Sequence, residues 1–154
     1  MHQGKVEFIY ISPKHGDPTI SVDQVHAVPG FGLEGDRHFG SAKKGNKPPG
    51  AGREITLIEI EAIEEMQQED GIQLTPDQTR RNIIARGIPL NELVGHEFFV
   101  GEIRLRGVRL CEPCEYLAKR TDLRILPAMV HRGGLRAEIL TDGIIHVNDL
   151  IQEL

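Results

Sequence analysis

Phe98-Phe99-Val100-Gly101-Glu102-Ile103-Arg104-Leu105-Arg106-Gly107-Val108-Arg109-Leu110 is the run that decides the fold class. It reads as a hairpin: a strand from Phe98 to Leu105, a turn at Arg106-Gly107, and a return from Val108 to Leu110. Leu105, Val108 and Leu110 are the inward candidates. Upstream, Val6 to Ile11 is β-branched and aromatic, a largely buried strand stopped by Ser12-Pro13. Ile20 to Val28 is a second strand with a kink near Asp23-Gln24, closed by Pro29-Gly30. Glu54 to Ile58 is a third, and Asn82 to Ala85 a fourth. Downstream, Leu135 to Leu140 and Ile144 to Val147 read as a last hairpin around Thr141-Asp142-Gly143.

Helical pattern is sparse. Glu59 to Asp70 carries Ala62, Ile63 and Met66 at helical spacing, with Gly71 at the stop. A rival start places Thr56 and Glu59 in a capping box. Thr75-Pro76-Asp77 is a turn or short helix start, Leu90 to Val94 a turn of helix, and Cys114 to Lys119 a short helix. Leu123 to His131 reads as helical until Gly133-Gly134 breaks it. The strands are too closely spaced for helical crossovers between most of them. A mainly antiparallel, barrel-like sheet with short helices (mainly β, α+β) therefore fits better than a doubly wound parallel sheet.

The 154 residues predict one domain over residues 1–154, with no repeat and no linker. A hydrophobic share of 39% with 27% charged residues is globular material, not a disordered tail. No apolar run is long enough for a membrane helix, and Met1 to Lys5 does not resemble a signal peptide, so no membrane and a cytoplasmic setting are expected. The net charge of -5 argues against a protein that coats nucleic acid. Five Phe, two Tyr and no Trp leave few platforms for stacking bases.

Several motifs invite chemistry. Gly30-Phe31-Gly32-Leu33-Glu34-Gly35 matches a dinucleotide fingerprint as text. The mechanism needs a helix to follow at once, and Asp36-Arg37-His38-Phe39-Gly40 does not provide one. The run 45–52 lacks the Gly-Lys-Ser/Thr of a phosphate-binding loop. Gly40 to Gly52 reads as a mobile loop whose Lys43, Lys44 and Lys47 suit closure over an anion. Cys111-Glu112-Pro113-Cys114 admits a redox pair, half of a zinc site with His131 as a third ligand, a single working thiolate at Cys114, or two inert buried thiols. Thr79-Arg80-Arg81-Asn82 offers forked donors for phosphate, or a basic turn beside Asp77. Arg53, after the lysine-rich run, is a similar case. Asp36-Arg37-His38 fits a charged turn that locks its own loop. His131-Arg132-Gly133-Gly134 fits a helix end with a cation against its carbonyls, and less readily a ligand-facing turn.

The order of these elements resembles the MOSC family, named for the C-terminal domain of molybdenum-cofactor sulfurases. The resemblance runs through Gly35-Asp36-Arg37-His38, Arg53 with Ile55-Thr56-Leu57-Ile58, Arg80-Arg81-Asn82-Ile83, Gly87 with Leu90, and Val94-Gly95. It continues through Phe98 with Val100-Gly101, Cys111-Glu112-Pro113-Cys114 and His131-Arg132-Gly133-Gly134. The chain is most similar to the short stand-alone bacterial type. The resemblance implies a β-rich barrel with a cleft for a pterin-dithiolene cofactor (molybdopterin). In it Cys114 is the ligand to molybdenum, Arg80 and Asn82 hold the phosphate end, Arg53 lies nearby, and His131 and Arg132 belong to the cofactor-binding set. It also implies a sulfur-carrier role, with Cys114 taking persulfide sulfur from a cysteine desulfurase or working with molybdenum-cofactor biosynthesis proteins. Pyridoxal phosphate would then belong to the partner. The alternatives are a molybdenum-dependent reductase of N-hydroxylated compounds fed by a separate electron donor, and a non-enzymatic zinc or docking module. Val147-Asn148-Asp149 departs from the Gly-Asp of many relatives.

Overall fold

The computed structural model describes residues 3–14, 16–40, 53–112 and 115–154. The lysine-rich run with Lys43, Lys44 and Lys47 lies outside them, as do Pro113 and Cys114. The chain forms β1 (Gln3–Ile11), β2 (Ile20–Val22), β3 (Gln24–Val28), β4 (Gly32–Leu33), β5 (Ile55–Glu59), α1 (Ile60–Glu69), β6 (Ile83–Arg86), β7 (Glu97–Val100) and β8 (Ile103–Leu110). There follow α2 (Glu115–Arg120), α3 (Ile125–Ala128), β9 (Leu135–Ile139), β10 (Gly143–His146) and β11 (Leu150–Glu153). Single 3-10 turns span Pro76–Thr79 and Leu90–Leu93.

The order β11-β7-β8-β9-β5-β6-β1 closes on itself through Gln3↔Gln152, Gly4↔Ile151 and Lys5↔Leu150, making a seven-stranded barrel. Closure removes the sheet edges that would otherwise template aggregation. The mainly antiparallel expectation holds, with one exception: β5 and β6 are parallel. A parallel pair needs a crossover, and α1 supplies it. Both faces of this pair are buried. Ile55, Leu57, Ile83 and Ala85 join the barrel interior, while Ile58 and Ile84 pack under Ile60, Ile63 and Met66 of α1. That explains why these two strands read as apolar runs rather than alternations. In β1, Val6 and Ile9 both face inward although three residues apart, because a register shift between Val6 and Phe8 absorbs the odd residue.

Several sequence expectations are corrected. The hairpin turns at Gly101-Glu102, where Gly101 has φ +60°, not at Arg106-Gly107. Gly107 sits inside β8 because the turn after Leu90–Leu93 touches the strand there. The Gly95 N–H donates to Gly107 O at 2.9 Å, and a Cβ on Gly107 would overlap the Leu93 carbonyl. A register shift between Gly107 and Arg109 leaves Val108 and Leu110 half-buried, while Leu105 is fully inside. The last hairpin does not form. β10 pairs with β3, and β4 with the other side of β3, making a separate small sheet whose Val25, Ala27, Leu33 and Ile145 pack against the barrel core. The Ile20–Val28 strand is accordingly two strands in two sheets, parted at Asp23. Leu123 to His131 is helical only over Ile125–Ala128, and His131 at φ +61° turns the chain away. The rival capping box at Thr56 is absent, since Thr56 lies within β5; a capping box forms instead between Thr75 and Gln78.

His26 ties the small sheet together. Its Nδ1 lies 2.7 Å from Glu34 Oε2 and its Nε2 2.9 Å from Asp142 Oδ1. A neutral imidazole has one N–H, so only the imidazolium donates to both carboxylates, and these bonds raise the His26 pKa above 6.5. The stability this adds is complete below the unfolded value and is lost as pH rises through the folded one. Wild type should therefore exceed His26→Gln most near about pH 5.5, and urea unfolding should show the gap shrinking by about pH 8.5. Gly107→Ala should cost about 2–3 kcal/mol in the same assay, because neither backbone can give way without losing a bond.

Candidate functional site

Three segments meet around β5. Thr79 to Asn82 lead into β6, Cys111 and Glu112 leave β8, and His131 to Gly134 lead into β9. β6 and β9 flank β5 on opposite sides. Asn82 is 5% exposed and joins three strands. Its Oδ1 accepts from the Thr56 N–H and the Thr56 hydroxyl, both at 3.1 Å. Its Nδ2 donates to Tyr10 O at 3.1 Å. The predicted phosphate ligand is thus, in this structure, an internal staple of β1, β5 and β6.

Arg80 stands at φ +61° directly after the Pro76–Thr79 turn, and its Nη1 donates to Asp17 O at 2.8 Å. It lines a hollow of about 160 Å³ with Pro18, Thr19, Asp77, Gln78, Arg120 and Thr121. Arg120 ends α2, the helix whose first residue, Glu115, follows Cys114 in sequence. The nearby Tyr10 phenol has a raised pKa, first from burial and then from the Asp77 charge. Sequence reading missed Arg120, because nothing local marks a helix-ending arginine as facing a turn 40 residues upstream.

The other predicted residues lie elsewhere. Arg53 is exposed in the bend leading into β5. The Arg132 side chain turns to the ends of α3 and α1: Nε donates to Ala128 O at 2.7 Å, Nη2 lies 3.0 Å from Asp70 Oδ2, and Nη1 3.5 Å from Glu65 Oε2. This is the cation-on-carbonyl arrangement its helix-end position suggests. His131 is exposed, with its N–H donating to Glu112 Oε2 at 3.3 Å and its Nδ1 3.5 Å from Glu112 Oε1. Asn91 Nδ2 donates to His131 O at 2.8 Å. Cys111 is 1% exposed. Among the described residues, no three His, Cys, Asp or Glu side chains converge for a metal. Cys114 itself lies outside them.

Buried charges fix the loops. Asp36 is 6% exposed; its Oδ2 accepts the His38 N–H at 3.3 Å, so the Asp36-Arg37-His38 turn does lock its own loop, and its Oδ1 accepts the Ser12 N–H at 2.9 Å, tying that loop to the end of β1. Turns, not a helix, follow Gly35, which disposes of the dinucleotide reading. Glu54 Oε1 accepts the N–H groups of Gly30 at 2.9 Å and Ile139 at 3.1 Å, tying the glycine-rich turn to β9. Its pKa is raised, chiefly by burial, with those two N–H groups working the other way.

A sequence model of the MOSC domain matches residues 34–152. The chain belongs to the MOSC domain family. Among solved structures, the YuaD protein from Bacillus subtilis is 21% identical with a TM-score of 0.81, covering 98% of this chain and 97% of that one. YiiM from Geobacillus stearothermophilus is 16% identical with a TM-score of 0.75, covering 98% of this chain and 75% of that one. YiiM from Escherichia coli is 18% identical with a TM-score of 0.66, covering 100% and 70%. At these identities the likeness establishes the barrel fold. No curated protein gives a match. Among the described residues no helix is long and apolar enough to cross a membrane.

The MOSC domain is associated with the molybdenum cofactor, and the residue types lining the hollow suit a phosphate group. Arg80 and Arg120 line it together with Thr19, Thr121 and Gln78, and Asp77 lies on the same rim. A volume of about 160 Å³ holds a phosphate group but is smaller than the roughly 300–1,000 Å³ that envelops a fused-ring ligand. The fit is therefore to the phosphate end alone.

Asn82→Ala should lower stability by about 3 kcal/mol, since it strands the Thr56 N–H and the Tyr10 carbonyl. Arg80→Gly should stay within about 1 kcal/mol of wild type, because glycine suits φ +61°. Urea unfolding of the two variants side by side tests the division between staple and rim.

Proposed function

We propose that this MOSC protein carries a phosphorylated molybdenum–pterin cofactor or its sulfur. Arg80 and Arg120 would receive the phosphate, and Cys114 would serve as the thiolate. The observation that carries the reading is the hollow lined by Arg80 and Arg120 at the end of α2, with the cysteine motif preceding the same helix in sequence. The six residues of α2 connect the two in sequence.

The cofactor, when bound, supplies molybdenum redox and sulfur-ligation chemistry, for which a cysteine thiolate is a suitable soft ligand. The chain's own part is binding and orientation. Arg80 and Arg120 neutralise the phosphate oxygens. Asn82 keeps β6, and with it the Arg80 turn, in register. Asp36 and Glu54 hold the loops on either side of the lysine-rich run. In the sulfur-carrier form of the same reading, the Cys114 thiolate attacks the outer sulfur of a desulfurase persulfide. The desulfurase thiolate leaves, and the pyridoxal phosphate stays with that partner.

Gently purified protein should contain molybdenum by elemental analysis and a phosphorylated pterin by native mass spectrometry, or a Cys114 persulfide after incubation with a desulfurase. Cys114→Ser should abolish molybdenum and persulfide alike. Arg80→Gly should weaken inorganic phosphate binding roughly tenfold to a hundredfold. Wild-type protein that takes up neither cofactor nor sulfur when offered both would sink the reading.

A further inference from the structure

We propose that Arg81 is the positioning residue of this site, the group that sets the Arg80 turn, the cysteine segment and the His131–Gly134 turn in one fixed arrangement. The proposal rests on the phosphate-and-cysteine reading above, because the segments it gathers are the ones that reading uses. Arg81 is 9% exposed. Its Nε donates to Gly133 O at 2.8 Å, its Nη1 to Thr79 O at 3.2 Å, and its Nη2 to Cys111 O at 3.4 Å. The three carbonyls belong to the segment entering β6, the segment leaving β8 and the segment entering β9. Because β6 and β9 flank β5, this one side chain spans the central strand. A guanidinium is planar and its donors diverge at fixed angles, so it satisfies three carbonyls in only one mutual placement.

Two further observations converge on the same point. Gly133 lies so close to Cys111 that a Cβ would overlap the Cys111 carbonyl, and the Cys111 N–H donates to Gly134 O at 2.7 Å. The two segments are in backbone contact where Arg81 holds them. Arg80 itself occupies the left-handed region at φ +61°, a conformation that persists for a long side chain only when its surroundings over-determine it. Arg81 provides that constraint from both directions. Its side chain holds Thr79 O, and its own N–H donates to the Thr79 hydroxyl at 3.3 Å. The direction in which Arg80 enters the hollow is therefore set by its neighbour.

The test uses Arg81→Lys and Arg81→Gln in the full chain, with inorganic phosphate as the probe in calorimetric titration. Either variant should weaken phosphate about tenfold in the presence of Arg80 and should add almost nothing in an Arg80→Gly background, the non-additivity expected of coupled residues. Amide exchange at Arg80, Cys111 and Arg132 should accelerate together by about tenfold, while Leu57 and Ile83 in the barrel stay unchanged. Losses that simply add across the two backgrounds, or exchange that rises uniformly over the barrel, would make Arg81 a general stability element and overturn the proposal. If wild type binds no phosphate, the functional reading fails on its own, and the exchange pattern alone decides the role of Arg81. If neither variant folds, native-state exchange of wild type decides: one shared opening rate at the three amides supports the proposal, and three unrelated rates overturn it.

Discussion

Strand β5 buries apolar side chains on both of its faces, and the architecture follows from how that burial is achieved. Ile55 and Leu57 point into the barrel, and Ile58 packs beneath α1. Covering the second face requires a helix, and the helix that covers it is also the connection that brings β6 in parallel. A parallel neighbour on one side and antiparallel β9 on the other bring the segments leading into β6 and β9 to the flanks of the same strand. Apolar burial thus creates the geometric opportunity for a site, while polar groups fix its details.

Those polar groups divide into two sets. Asp36, Glu54, Arg81 and Asn82 are all less than a tenth exposed, and each holds backbone groups of segments far away in sequence. A buried polar or charged group is costly unless it is well bonded, so such residues act as rigid fasteners with little freedom to follow a ligand. Arg80 and Arg120 line an open hollow in contact with solvent. Arg132 falls between the sets, being partly exposed but turned toward Asp70 and Glu65. The division explains how one tripeptide, Arg80-Arg81-Asn82, carries one rim residue and two internal fasteners.

Much of the fold was legible because burial leaves a periodic or compositional trace. The apolar runs around Leu57 and Ile84, the Ala62-Ile63-Met66 spacing and the stop at Gly71 all follow from local packing and backbone rules. Glycines misled where a close approach looks the same in sequence as a turn. Gly107 lies flat against the Leu93 carbonyl, whereas Gly101 makes the actual turn. The final hairpin misled for another reason. Ile144 to Val147 has the composition to pair with any strand, and only the apolar mouth of the barrel selects β3 over β9. At the site, the motifs that meet around β5 were legible in sequence, but the roles of their residues were not separable. Whether an arginine lines a hollow or is locked inside on backbone carbonyls depends on partners 30 and 52 residues away.

The sequence by itself determined that this is a mainly β, barrel-like member of the MOSC family and which short motifs carry its candidate chemistry, since strand composition, turn residues and motif order are local properties of the chain. Tertiary structure alone decided which arginine lines a phosphate-sized hollow and which is locked inside, that Arg120 joins Arg80, and that β10 leaves the barrel for β3. The physical reason is that hydrogen-bond partners and burial are set by pairings between distant segments, which come into being only when the barrel closes.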